Sequence, residues 1–143
     1  MPLKNYTVLI IEDDHALNAL IKHSLQKLEL STNSFYTNAD AINYIINNPN
    51  QLVFLLLDYK LSDGDANDFL NKLNALNIKV PFIIITGKGS EKLAVDMMKK
   101  GAYDYFVKDI GFEKGIALKI ENAIKQIDLL KSLEESQKQI ELN

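Results

Sequence analysis

Two short stretches of the chain are apolar at every position, and they constrain the fold more than any other feature. Val53–Leu57 and Pro81–Ile85 lack the alternation expected of a strand with one solvated face. Each is therefore predicted to be a strand covered on both sides, as in parallel sheets. Tyr6–Ile11 is a similar β-prone run, and Ser31–Thr37 and Tyr105–Val107 are predicted to be shorter strands.

Segments with apolar residues at helical spacing separate these strands. Helices are predicted over 15–28 with Asp14 as N-cap, over 38–47 with Asn38 as N-cap, over 67–76, and around 93–98 before Gly101. A long helix is predicted from about Glu113 to the end of the sequence. Single helices between doubly covered strands require right-handed crossovers and helices on both faces of a parallel sheet. The sequence therefore predicts an α/β fold: a doubly wound five-stranded parallel sheet, flavodoxin-like (βα)5, with an extended C-terminal helix.

Length and composition narrow the function classes. The 143 residues suffice for one domain, and 47% apolar with 24% charged residues is typical of a globular protein. The formal net charge of −3 gives no long-range attraction for phosphate backbones, so direct nucleic-acid binding is not expected. There is no cysteine, no apolar run approaching the ~20 residues of a membrane span, and no signal-peptide pattern at the start. The sequence thus predicts a cytoplasmic protein without a membrane segment.

Polar side chains follow four of the predicted strands: Glu12 and Asp13 after the first, Asp58 after the third, Thr86 at the fourth and Lys108 after the fifth. One Asp after a strand is usually a turn former, but the carboxyl ends of parallel strands meet at one edge, where ligands bind. Converging carboxylates repel one another unless a cation lies among them, and Mg²⁺ suits such a sparse oxygen cage. A lysine and a hydroxyl beside them can bind a phosphoryl group, and a carboxylate can accept one.

These motifs, in this order, resemble the response-regulator receiver family over residues 4 to about 128. The motifs are Val-Leu-Ile-Ile-Glu12-Asp13, Leu-Leu-Leu-Asp58, Ile-Ile-Ile-Thr86-Gly87 and Gly101-Ala-Tyr-Asp-Tyr105-Phe-Val-Lys108. The resemblance implies that Asp58 takes a phosphoryl group from a histidine kinase or phosphotransfer protein. It implies Mg²⁺ held by Glu12, Asp13, Asp58 and the backbone carbonyl of Lys60. It also implies phosphate binding by Lys108 and Thr86, and a Thr86/Tyr105 switch of partner binding. Such a domain is regulatory rather than an enzyme, because it catalyses only its own phosphorylation and hydrolysis.

The chain departs from the family pattern in the loops around this site. Asp109 stands where the family usually has a proline in a cis peptide, so a trans Lys-Asp peptide is expected here. Ser62 replaces a frequent proline and Ala66 a frequent glycine, which predicts a different loop after Asp58. Lys60 and Lys88 near the site entrance are unusual, and we hypothesise that they change the lifetime of the acyl phosphate.

The last helix extends beyond the usual end of a receiver domain, which divides the chain into a receiver domain (1–128) and a helical extension (129–143). The apolar residues of this region recur at spacings of three or four and are Ile120, Ile124, Ile127, Leu130, Leu133 and Ile140. An overhang of ~15 residues adds ~22 Å of helix that would be marginal unless paired. This pattern indicates a coiled-coil linker to an effector or sensor domain, or a homodimer contact, although its spacing leaves strict heptad register. The alternative is a frayed tail on a single-domain regulator.

Two further readings remain open. The first is a degenerate receiver that acts as a phosphorylation-independent interaction module. The second, a small flavodoxin-like binding protein, is disfavoured because acidic residues replace the Ser/Thr/Gly-rich phosphate loop after the first strand. His15 and His23 are predicted to be surface residues. The sequence does not identify the cognate kinase, the input signal, the output partner, the phosphate lifetime or the oligomeric state.

Overall fold

The computed structural model describes residues 5–142, with side chains up to residue 141. The predictions that concern residues 1–4 and Asn143 lie outside the described residues. The strands are β1 (Tyr6–Ile11), β2 (Ser31–Phe35), β3 (Leu52–Asp58), β4 (Lys60–Leu61), β5 (Gly64–Asp65), β6 (Phe82–Thr86) and β7 (Tyr105–Val107). The α-helices are α1 (His15–Leu25), α2 (Asn38–Asn47), α3 (Ala66–Ala75), α4 (Glu91–Lys99) and α5 (Ile116–Leu142). Short 3-10 helices cover Gln26–Leu28 and Phe112–Gly115.

Five strands form one parallel sheet in the order β2-β1-β3-β6-β7. The strand order reverses direction at β1, as in doubly wound folds, so the carboxyl ends of β1 and β3 flank the switch point. The predicted fold class is thereby confirmed. The two-residue strands β4 and β5 pair antiparallel within the loop after β3 and lie outside this sheet.

The central strands are buried on both faces because successive residues point to opposite sides. Val8 and Ile10 of β1 pack in a cluster with α1 and α5, and that cluster also takes Phe54 from β3. Leu9 of β1 and Leu55 of β3 pack in the second cluster, with α2, α3 and α4. This two-sided burial explains why β1, β3 and β6 are apolar almost throughout.

Several element ends differ from the predicted ones. Asn38 was expected to be the N-cap of α2, but the side chain of Thr37 accepts the N–H of Asp40, and Asn38 is the first, buried residue of the helix. Threonine and asparagine are both good N-caps. Because the two residues are adjacent here, the sequence alone does not decide which of them begins α2. Strand β2 accordingly ends at Phe35 rather than at Thr37. The last helix was expected from about Glu113, where a 3-10 turn precedes α5 instead.

Helix α5 runs unbroken from Ile116 to Leu142. Its first half is anchored in the core by Ile116, Ile120, Ala123, Ile124 and Ile127. Beyond that point Leu129, Leu130, Leu133 and Ile140 are 61%, 48%, 57% and 74% exposed. Among the described residues, no helix combines the length and apolarity that crossing a membrane would need.

Candidate functional site

Three carboxylates meet at the carboxyl edge of the sheet. Glu12 and Asp13 follow β1 directly, and Asp58 is the last residue of β3, the neighbouring strand. One oxygen from each of these three side chains lies within 4.8 Å of the others. Glu12 and Asp58 are buried, whereas Asp13 is exposed, so the cluster reaches solvent at Asp13.

The Lys108 ammonium group bridges the two buried acids. Lys108 follows β7, where its N–H donates to the carbonyl of Thr86 at 2.8 Å. Its Nζ lies 3.1 Å from Asp58 Oδ2 and 2.8 Å from Glu12 Oε1. The sequence predicted that the three acids and Lys108 lie at one edge of the sheet, and the structure brings these four side chains together.

Burial dominates the electrostatics of the buried acids. It raises the pKa of Glu12 from 4.5 to about 7, against the opposing effect of Lys108 and with a further rise from the charge of Asp58. Burial also raises the pKa of Asp58, again opposed by Lys108. Burial of the ammonium would lower the pKa of Lys108, but its contacts with Glu12 and Asp58 outweigh that effect and raise it. With three carboxyl groups beside one lysine, the site has more acidic groups than Lys108 alone can neutralise.

The acidic cluster fits a hard divalent cation. Lys108 Nζ contacts Glu12 Oε1 at 2.8 Å and Asp58 Oδ2 at 3.1 Å, so the three clustered carboxylates keep oxygen atoms that this lysine does not occupy. The exposed side at Asp13 leaves room for the waters that Mg²⁺ retains, and carboxylate oxygens are the ligands that it prefers. Glu12, Asp13 and Asp58 could thus hold Mg²⁺.

Thr86 and Tyr105 occupy adjacent strands beside the cluster. Thr86 ends β6, is fully buried, and its hydroxyl donates to the carbonyl of Phe106 at 3.4 Å. Tyr105 begins β7 and is half-buried. The Lys119 ammonium donates to the carbonyl of Tyr105 at 3.0 Å and lies 4.5 Å from the centre of the Phe106 ring. The threonine hydroxyl thus contacts backbone on β7, which links the two strands that carry this pair.

The loops that depart from the family pattern are ordered by local contacts. Among the described residues there is no cis peptide bond, so the peptide before Asp109 is trans as expected. Asp109 instead pairs with Lys88 at 3.4 Å, and both side chains are exposed. The side chain of Lys60 is also exposed, while its backbone N–H acts to lower the pKa of the Asp58 carboxyl. The loop after β3 therefore influences Asp58 through its backbone.

Asn18 is a supporting residue that sequence reasoning missed. Its buried amide on α1 donates to the carbonyls of Glu12 at 3.0 Å, Phe35 at 3.2 Å and Ile10 at 3.3 Å. It thereby fixes the ends of β1 and β2 at the site. An asparagine among the apolar positions of a helix was the only sequence signal. His15 and His23 are exposed, as predicted, and the His15 ring stacks on Tyr36.

Comparisons with known proteins agree with this geometry. The family model described as "Response regulator receiver domain" matches residues 8–119. The chain is 33% identical over 107 residues to methanogenesis regulatory protein FilR1 of Methanothrix harundinacea, covering 73% of this chain and 24% of that protein. It is 30% identical over 123 residues to regulatory protein LuxO of Vibrio vulnificus, covering 86% of this chain and 26% of that protein. The chain therefore spans about a quarter of the length of the curated relatives it matches.

Solved structures give the same result. The crystal structure of a signal receiver domain from Vibrio parahaemolyticus, described as that of a LuxO repressor protein, is similar with a TM-score of 0.77 and 30% identity. That match covers 90% of this chain and 96% of the other. The structure of FixJ-N has a TM-score of 0.70 and 26% identity, covering 84% and 94% of the two chains. The chain belongs to the response regulator receiver domain family.

Proposed function

We propose that the chain accepts a phosphoryl group on Asp58 from a histidine kinase or phosphotransfer protein in a Mg²⁺-dependent reaction. The single observation that carries this proposal is the buried Asp58 carboxylate at the end of β3, 3.1 Å from Lys108 Nζ and beside Glu12. A carboxylate oxygen would attack phosphorus as the P–N bond to the donor histidine breaks, and the product is an acyl phosphate. Because the donor kinase uses ATP, we place the reaction in the cytoplasm.

The residues around Asp58 would each serve the transfer. Glu12, Asp13, Asp58 and the carbonyl of Lys60 would hold Mg²⁺, which supplies positive charge to the transferring phosphoryl oxygens. Lys108 would bind another of those oxygens, because its ammonium already lies between the two buried acids. Thr86 would donate its hydroxyl to the acyl phosphate, giving up its contact with the Phe106 carbonyl.

The switch would follow from the movement of Thr86. With its hydroxyl turned to the phosphate, space opens beside β7, and Tyr105 would turn inward to fill it. The surface of α4, β7 and α5 would then change its affinity for a partner, with the phosphate supplying the differential contacts. In this role the domain catalyses only its own phosphorylation and the hydrolysis of its own acyl phosphate, and it regulates its partners by binding them.

Labelling with acetyl phosphate tests this proposal. We expect a magnesium-dependent label on the parent chain, no label on Asp58→Asn, and normal labelling of the control Asp96→Asn, which changes an exposed acid on α4. Intact mass and a hydroxylamine-sensitive label would identify the acyl phosphate. A parent chain that takes no label with Mg²⁺ would contradict the proposal and favour the phosphorylation-independent interaction module.

A second proposal concerns the helical extension (129–143), which we infer to pair with a second copy of this chain. Leu130, Leu133, Gln137 and Ile140 follow one another at spacings of three, four and three, and the three apolar members are about half or more exposed. A solitary helix of this length is marginal in water, so burial of this stripe against another helix would stabilise it. A polar residue at one core position would fix the register.

Sedimentation velocity tests this pairing. The parent is expected to dimerise, whereas a chain ending at residue 128 and the double variant Leu130→Lys/Leu133→Lys are expected to be monomers. Ser132→Lys, on another face of the same exposed turn, should leave the dimer intact. A parent that sediments as a monomer at all concentrations would contradict the pairing without bearing on the phosphorylation chemistry.

A further inference from the structure

The loop that follows the phosphoacceptor is a small hairpin. Lys60 pairs with Asp65 and Leu61 with Gly64, so Ser62 and Asp63 form a two-residue turn at its tip. Leu61 is buried in the core and anchors one arm of this hairpin.

Asp63 fastens the tip of the hairpin to the N-terminus of α2. Its two carboxylate oxygens accept the backbone N–H groups of Asn38 at 2.9 Å and Ala39 at 3.0 Å. Burial alone would raise the pKa of Asp63, but these hydrogen bonds outweigh it and lower the pKa. The contact joins two segments 25 residues apart in the sequence at the end of a helix that attracts negative charge.

A second contact reinforces the same junction. The buried Asn38 side chain donates to the carbonyl of Gly64 at 3.1 Å. Gly64 has a φ of +140°, and a Cβ there would lie 3.1 Å from Asp68 Oδ2 and 3.3 Å from Asn38 Nδ2. A side chain at this position would be strained and would push the tip away from α2. Both the backbone conformation and the spacing therefore suit close docking of the tip.

The opposite end of the hairpin lies at the reacting group. Lys60 lies two residues after Asp58, and its backbone N–H acts to lower the pKa of that carboxyl. The N–H of Ala66 donates to the carbonyl of Tyr59 at 2.7 Å. Only Leu61 and Ser62 separate Lys60 from Asp63. Because few backbone dihedral angles lie between the tip and the base of so short a hairpin, fixing the tip also restricts the position of the base.

Ser62 affects how firmly the tip of the hairpin is held. A serine at position 62 leaves φ free where a proline would have fixed it, so the turn lacks the covalent restraint that a proline ring supplies. The Asp63 carboxylate supplies a non-covalent restraint at the next residue.

We propose that Asp63 is a positioning residue, which docks the hairpin tip on α2 and so holds the backbone of Lys60 in place at Asp58. The consequence for metal binding rests on the proposed function, in which the Lys60 carbonyl is a ligand of Mg²⁺. The docking itself is independent of any metal. Loss of a partner that orients a metal ligand lowers metal affinity by about tenfold or more, and a change of this order is expected for Asp63→Ala.

Thr37→Ala provides a matched control for this variant. Thr37 accepts the N–H of Asp40 at 3.1 Å through its side chain, so its removal also takes a hydrogen-bond acceptor from the first turn of α2. It has no contact with the hairpin among the hydrogen bonds of the described residues. Both variants should lower the unfolding midpoint, while only Asp63→Ala should affect the loop. Asp63→Asn, which keeps one carbonyl oxygen, should be intermediate.

The experiment combines amide hydrogen exchange of the metal-free protein with a MgCl₂ titration followed by amide NMR shifts. Asp63→Ala is expected to exchange faster than Thr37→Ala at residues 60–64 and to bind Mg²⁺ about tenfold more weakly than the parent. Thr37→Ala should match the parent in both measurements. Equal exchange and equal Mg²⁺ affinity in the two variants would overturn the inference.

A parent chain that shows no Mg²⁺-dependent shifts would contradict the proposed metal site. In that case exchange at residues 60–64 still decides the inference about docking. Faster exchange in Asp63→Ala than in Thr37→Ala would support it, and equal exchange would overturn it.

Discussion

Burial of Glu12 should make the stability of the folded chain depend on pH. Because its pKa is raised from 4.5 to about 7, the folded chain keeps a proton on Glu12 at pH values where the unfolded chain has lost it. Between the unfolded value of 4.5 and about 7, the folded state binds more protons, so the free energy of unfolding falls as pH rises. Glu12→Gln removes this titrating group while keeping the side-chain size. The variant should therefore lose much of the decline in stability.

The size of the effect follows from the two pKa values. Each tenfold change in proton affinity corresponds to about 1.4 kcal/mol, so a rise from 4.5 to about 7 costs about 3 kcal/mol once the group is ionised in both states. Part of that cost is already present at about pH 5, which leaves roughly 2–3 kcal/mol to be lost between about pH 5 and pH 8. Because Glu12 shares Lys108 with Asp58, this cost belongs to the cluster of the three residues rather than to Glu12 alone.

Urea unfolding followed by circular dichroism measures this difference. Parent and Glu12→Gln are compared in EDTA at about pH 5 and about pH 8, and the variant should gain stability relative to the parent at the higher pH. Glu134→Gln is the matched control, because it makes the same chemical change on the exposed helical extension. Adding MgCl₂ at the higher pH should stabilise the parent more than the variant, since the ion binds the ionised site in the folded state.

If parent and Glu12→Gln show the same change in unfolding free energy between the two pH values, burial does not raise the proton affinity of Glu12. A variant that loses stability relative to the parent on going from the lower to the higher pH would likewise show that the Lys108 contact outweighs burial.

Three further predictions concern the loops, the core and a helix end. Lys60→Ala and Lys88→Ala are expected to change the rate at which the acyl phosphate hydrolyses, because each exposed lysine lies two residues past a site residue, Asp58 or Thr86. Parent-like rates in both variants would rule this out. Phe69→Ala should lower the free energy of unfolding by about 3–5 kcal/mol because Phe69 is fully buried, whereas Leu118→Ala, at a position 63% exposed, should stay within about 0.5 kcal/mol of the parent. Asp65→Ala, which breaks the capping box of α3, should cost about 1 kcal/mol in the same urea measurement, and no loss would contradict the observed cap.

The parallel sheet and its polar edge could be predicted from the sequence. Leu55 and Ile84 lie in runs without polar residues, and such runs predict strands covered on both faces. Because parallel strands end at one edge, Asp58 and Lys108 could then be placed there together. The docking of Asp63 on α2 could not be foreseen. It joins residues 25 apart in the sequence through backbone N–H groups, which carry no residue-type signal.

The order of the strands has a consequence for resistance to aggregation. The segments with the greatest tendency to form intermolecular β-structure, β3 and β6, are central, while the sheet ends at β2 and at the three-residue β7. Strand β2 has the sequence Ser-Thr-Asn-Ser-Phe, in which polar side chains make pairing with another chain unfavourable. The intact sheet therefore presents no long apolar strand at either edge. Pairing of another chain with β1 or β6 would first require the neighbouring edge strand, β2 or β7, to open, so the stability of these two edges protects the chain.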